Sequence, residues 1–293
     1  MPRHTLDPKI DVVFKMLFTD ERNLHLLTAL LQDFLQPNSP ITAVEVLNPE
    51  LRRDNISDRG GIVDLLVQFD GGARVHVEMQ LSSQPFFVER ALFYWARAYS
   101  GQLSEGDHYG ELSPTTGIFI LNYYELRTES YHSTFRLLEG STHERLSSAL
   151  ELHFLELPKI PGQPPDDGAD PVLRWGQFFR ATSDERLQEL AMSDPILREA
   201  SDALQRLSDD PVAREEAFKR QLEWSNYQHS LQREREQGIE QGISRGLERA
   251  IEQMCRAFGI DMGPDRLAIL RDSSADELLK LHESIATSRS WPK

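Results

Sequence analysis

Asp64, Glu78 and Gln80 fall within "IVDLLVQFDGGARVHVEMQ" (62–80), and their spacing could do chemistry if this segment folds as a single hairpin. Val63, Leu65, Val67 and Phe69 alternate along a first strand, and Val75, Val77 and Met79 along a second, with Asp70-Gly71-Gly72 between them as turn residues. Keeping both apolar sets on one face requires an even pairing sum, and a three-residue loop meets it by pairing Phe69 with Ala73. That register sets Asp64 across from Glu78, on the face that also carries Leu66, Gln68, Arg74, His76 and Gln80. Two carboxylates opposite each other in a ladder stand only about 5 Å apart and repel. A hard divalent cation held between them relieves the repulsion, since magnesium is held by one or two carboxylates plus water and phosphate oxygens. The alternative is a solvated outer face on which the two acids repel weakly and nothing binds.

The elements that would position these residues can be followed along the chain. "DVVFKMLFTDERNLHLLTALLQDFL" has apolar residues at helical spacing and a polar break around Thr19 to Arg22, so two helices are expected between residues 8 and 36. "ITAVEVLNPEL" is a short strand, "RRDNISDRGG" a polar linker, and a helix is expected to begin near Pro85. "TTGIFILNY" is short and apolar enough for a buried strand, and "STFRLLEG" and "LELHFLEL" are two more strand candidates. The order predicts an α/β fold with a mixed sheet flanked by helices. "PGQPPDDGADP" (161–171) is a loop, after which "WGQFFRATSDERLQELAM" and "ILREASDALQRLSDDP" are helical units. The expected division is a domain over 1–222, with its core at about 1–160 and a helical elaboration at 172–222, followed by a helical tail over 223–293. In that tail "GIEQGISRGLERA" spaces Gly238, Gly242, Gly246 and Ala250 four residues apart. Each glycine costs about 1 kcal/mol relative to alanine inside a helix, so close approach of another helix, and hence self-association, is one reading. A weakly helical linker is the other.

The whole chain sets bounds. It has 293 residues, a net charge of −15 and one cysteine, Cys255, which excludes an internal disulfide and a cysteine-based zinc site. No apolar run nears 18 residues and no apolar leader follows Met1, so no membrane span and a cytoplasmic location are expected. Both parts are acidic, with 14 Lys/Arg against 22 Asp/Glu over 1–160 and 18 against 25 in the remainder. Contact with nucleic acid would therefore have to be local, metal-assisted, or built on a few arginines such as Arg52, Arg53, Arg59, Arg74, Arg90 and Arg97. No glycine-rich phosphate loop follows a strand, so nothing supports a nucleotide hydrolase.

Asp64 on one strand followed by Glu78-x-Gln80 on the next resembles the motif of the PD-(D/E)XK nucleases. "DPKIDVVFKMLF", "NPEL", the hairpin, "ERALFYWARAYSGQLSEGDHY", and "HFLEL" with Lys159 are similar to the recombination-promoting nucleases, also labelled PD-(D/E)XK nuclease family transposases. The likeness runs over roughly residues 5 to 250. It implies a restriction-endonuclease-like fold and a magnesium-dependent DNA endonuclease, with manganese as a substitute and a link to recombination or mobile elements. It further implies Asp64 and Glu78 as metal ligands and Gln80 as the catalytic residue standing where the broader superfamily has lysine. Glutamine can orient a water or offer its carbonyl, but it brings no positive charge. Arg90 and Lys15 are candidates for that charge, against a surface ion pair and a solvated lysine respectively. Asp11 is either an additional acid near the metal or a first-turn acid favoured by the helix dipole. His76 is either a further metal ligand or, more simply, a polar strand residue near the turn, and Tyr94, Trp95 and Tyr99 of the following helix are core aromatics or contacts to bases. The alternative function is a catalytically weak or inactive interaction protein that self-associates through its C-terminal helices; strand joining in place of cutting would use similar metal chemistry.

Overall fold

The computed structural model describes residues 5–47, 65–69, 71–162, 170–181 and 183–292. Asp64, Arg52, Arg53, Arg59 and Asp70 lie outside these residues. Two compact units divide the chain, Met1–Glu223 and Trp224–Lys293.

In the first unit the amphipathic N-terminal stretch forms α1 (Asp11–Thr19) and α2 (Leu24–Leu35), with a short 3-10 turn, Glu21–Asn23, at the polar break. Asp20 starts that turn by accepting a hydrogen bond from the Arg22 backbone N–H at 2.9 Å. The strands are β1 (Val44–Val46), β2 (Leu65–Phe69), β3 (Ala73–Gln80), β4 (Thr115–Leu121), β5 (His132–Arg136) and β6 (Leu150–Glu156). Among the described residues they form one mixed sheet in the order β1-β2-β3-β4-β6-β5. The pairs β1/β2, β2/β3 and β5/β6 are antiparallel, while β3/β4 and β4/β6 are parallel. The hairpin has the expected register, with Phe69 opposite Ala73 and Leu65 opposite Val77. Gly71 and Gly72 supply the turn with φ of 85° and 97°, a region side chains other than glycine's rarely enter.

Each face of the sheet meets a different helical layer. Leu65, Val67, Val75, Val77, Ile118, Ile120 and Leu155 enter the large core with α1, α2, α4 (Pro171–Arg180) and α6 (Pro195–Asp209). On the other face α3 (Phe87–Ser100) seats Phe87 and Ala91 against Phe119, Leu121, Leu152 and Phe154. α2 and α4 are locked by Asp33, whose buried carboxylate accepts from Arg174 at 2.6 and 2.7 Å and from the Trp175 indole at 2.6 Å. "WGQFFRATSDERLQELAM" resolves into two helices, α4 and α5 (Asp184–Ser193), because the Ser183 hydroxyl caps the second by accepting from the Arg186 N–H at 3.2 Å.

The second unit contains most of α7 (Pro211–Ala257), from Trp224 onward, with α8 (Pro264–Asp272) and α9 (Ala275–Ser288). Ile251, Cys255, Leu270, Leu278 and Ile285 form its buried core. A reciprocal cap between Ser274 and Glu277 begins α9. A Cβ at Gly238, Gly242 or Gly246 would meet nothing within 4 Å among the described residues.

Candidate active site

β3 carries His76, Glu78 and Gln80 toward α3, and burial there leaves them 3 %, 1 % and 6 % exposed. A solvated outer face is therefore the wrong account of this side of the hairpin: a second helical layer covers it. Glu78 and Gln80 sit at the carboxyl end of β3, level with Phe119 and Leu121 of the parallel neighbour β4. Open α/β sheets bind their ligands outside the carboxyl ends of their strands.

The Gln80 side-chain amide donates to Oε1 of Glu78. Nη2 of Arg90 stands 3.5 Å from the same oxygen, and Nε2 of His76 stands 4.0 Å from Oε2. The His76 ring lies edge-on to Phe119 at 5.8 Å and tilted against Tyr94 at 6.1 Å, so it packs as part of the wall. Arg90 lies in the first turn of α3, which the chain enters through Phe86 in the left-handed region at φ 60°. Its Nη1 donates to the Gln84 side chain, and its guanidinium carbon sits 5.5 Å from the Phe87 ring centroid. Trp95 anchors the helix to β4, its indole N–H donating to the Thr115 carbonyl at 2.8 Å.

Of the accessory residues, Arg90 meets Glu78 and is no surface ion pair. Asp11 is a first-turn acid of α1 and pairs with Arg220 of α7, at 2.6 Å from Nε and 2.5 Å from Nη2. Lys15 is buried, 3 % exposed, so the solvated lysine is set aside. Asp64, and with it the opposition of Asp64 and Glu78, lies outside the described residues. Among the described residues no group of three or more His, Cys, Asp or Glu side chains is arranged to hold a metal ion. A carboxylate beside an amide carbonyl is nevertheless a hard oxygen donor set of the kind magnesium takes, so Glu78 and Gln80 fit that ion in chemistry.

Two further features were missed in the sequence. Glu156, at the end of β6, is wholly buried and accepts the backbone N–H groups of Glu125 at 2.6 Å and Leu126 at 3.1 Å, together with the Lys159 ammonium. Lys159 also donates to the carbonyls of Leu126 at 3.0 Å and Thr128 at 2.6 Å. The loop after β4 is thus tied to the end of β6, and the Asn122 N–H ties its start to the Gln80 carbonyl at 2.9 Å. Tyr123 lies on that loop with its ring edge-on to Phe87 at 6.1 Å. Burial, then the charges of Glu125 and Glu78, push its phenol above the ordinary tyrosine range. The signal available for Glu156 was an acid at the buried phase of an otherwise apolar strand.

A mixed sheet flanked by helices, with an acid and a glutamine at the carboxyl end of a central strand and a helical region after it, has restriction-endonuclease-like architecture. The family model described as PD-(D/E)XK nuclease family transposase matches residues 8–234, and the chain belongs to that family. No curated protein and no solved structure matches it.

Proposed function

We propose that the protein is a metal-dependent DNA endonuclease that hydrolyses phosphodiester bonds. The observation that carries this reading is the buried, hydrogen-bonded pair of Glu78 and Gln80 at the end of β3, with the Arg90 guanidinium 3.5 Å from the carboxylate. Glu78, with Asp64 by family resemblance, would hold magnesium, and manganese would substitute. When bound, the ion supplies Lewis acidity at the phosphate and a nucleophilic water at neutral pH. Gln80 orients the attacking water through its side-chain carbonyl, while its N–H holds the Glu78 carboxylate in place. Arg90 supplies the positive charge that a lysine at position 80 would otherwise bring, stabilising charge developing on the phosphate. The attacking water gives up a proton to solvent and its oxygen bonds to phosphorus, the bond from phosphorus to the 3′ oxygen breaks, and that oxygen takes up a proton from solvent, so cleavage is a net addition of water. The nuclease module comprises residues 1–222 and acts on DNA in the cytoplasm, and the tail over 223–293 mediates self-association.

The test is plasmid nicking with magnesium, manganese or EDTA. Wild type cleaves with either ion, and Glu78→Gln or Asp64→Ala falls by about a hundredfold or more, with the melting profile retained. Either variant cleaving at the wild-type rate refutes the site. A wild type that binds metal without cutting supports the interaction-protein alternative, which the glutamine at position 80 and the net charge of −15 favour.

A further inference from the structure

Three hydrogen-bond donors beside Glu78 are buried and have no acceptor among the described residues: Nε and Nη2 of Arg90 and the hydroxyl of Tyr123. Native structures satisfy nearly all such groups, and each exception calls for an explanation. The two arginine atoms form one edge of the guanidinium, the fork that receives two oxygens of a phosphate side by side. The other edge is occupied, since Nη1 donates to Gln84. The remaining contact, Nη2 to Glu78 at 3.5 Å, is an ion pair without hydrogen-bond geometry.

Arg90 and Tyr123 flank the same Phe87 ring, the guanidinium over it at 5.5 Å and the phenol edge-on at 6.1 Å. Their positions are fixed from opposite sides. Helix α3 and Gln84 hold Arg90, while the Asn122 N–H on Gln80 and the clamp of Glu156 and Lys159 hold the loop that bears Tyr123. A group that satisfies three donors, two of them on one guanidinium cation, must be rich in acceptors and negatively charged. We propose that the fork edge of Arg90 and the Tyr123 hydroxyl together receive the non-bridging oxygens of a phosphoryl group, which makes Tyr123 a substrate-binding residue. In DNA that group is the scissile phosphate; this part of the inference rests on the nuclease reading above. With its titration displaced upward, the phenol remains a donor throughout the working pH range.

The experiment uses the full chain and three proteins: wild type, Tyr123→Phe, which keeps the ring on Phe87, and Arg90→Lys, which keeps the charge but loses the fork. Nicking in magnesium, anisotropy of a labelled duplex in calcium, and thermal melting with and without inorganic phosphate are measured on each. Tyr123→Phe is expected to melt at the wild-type temperature or above, having lost an unsatisfied hydroxyl, yet to lose at least about tenfold in kcat. Arg90→Lys is expected to lose more, and phosphate should raise the melting temperature of wild type alone. Tyr123→Phe cleaving at the wild-type rate overturns the assignment. If wild type does not cleave, the nuclease reading fails by itself and the phosphate arm judges the receptor. A phosphate shift confined to wild type upholds it, and no shift, or an equal shift in all three proteins, overturns it.

Discussion

Glu156 illustrates how one carboxylate can serve as a structural bolt. Two backbone N–H groups and the Lys159 ammonium meet this wholly buried acid. Removing one partner of such a buried pair leaves the other charge uncompensated, which costs about 3–5 kcal/mol. Lys159→Met should therefore lower the unfolding free energy by roughly that amount in urea titration. Adding Glu156→Gln to it should recover part of the loss. If the single variant unfolds at the wild-type midpoint, the clamp contributes nothing. Glu78 differs in kind, because a neutral amide donates to it while a guanidinium and the His76 ring stand slightly away, at 3.5 and 4.0 Å.

At the scale of elements, the outer pair β5/β6 carries a titratable stack. His132 and His153 lie nearly parallel at 5.2 Å, with Nε2 of His132 2.9 Å from Nδ1 of His153. Phe34 packs edge-on to both rings from α2. Asp170 approaches His132 at 3.8 Å, and Glu151 approaches His153 at 3.1 Å. Burial first, and His153 second, lower the His132 pKa to about 4. Because the folded value lies below the unfolded one, the unfolded chain binds more protons between the two. Stability should then be full above about pH 6.5 and fall as the pH drops toward 4, by at most about 3 kcal/mol. Chemical denaturation across that range checks it, and His132→Gln should flatten the dependence; an unchanged slope in that variant sinks the assignment. The sequence displayed much at this scale. Alternation around two glycines specified the hairpin register, and the polar break at Thr19 to Arg22 separated α1 from α2. The layer that α3 lays over the Glu78 face was not legible, because alternation gives the phase of a strand and says nothing of what covers each phase. For the same reason the roles of Tyr123 and Glu156 could not be read from the sequence. Their importance lies in partners such as Leu126 and Phe87, brought to them by the parallel crossovers.

For the whole molecule, the acidic balance shapes how it must meet its partners. A chain of net charge −15 gains little from long-range attraction to DNA, so binding in the proposed function leans on the ion and on a few guanidinium groups. The proposed self-association rests on α7, where Ile239 and Ile243 are 53 % and 51 % exposed beside the glycine series. Sedimentation of the full chain should show a species larger than one copy, and Ile239→Glu with Ile243→Glu should return it to single copies. A wild type that sediments as one copy rules the tail out as an assembly surface. A last consequence follows from the spacing of the sheet. Gln80 and Glu156 flank Leu121 on either side, with their backbones two strand spacings or about 10 Å apart. The carboxylate that fastens the loop is neutralised from within by a side-chain ammonium, whereas Glu78, to which the proposed function assigns an external cation, lies across β4 on β3. Under the proposed function, chelators should abolish cleavage without unravelling the protein, since the ammonium that neutralises Glu156 is covalently part of the chain.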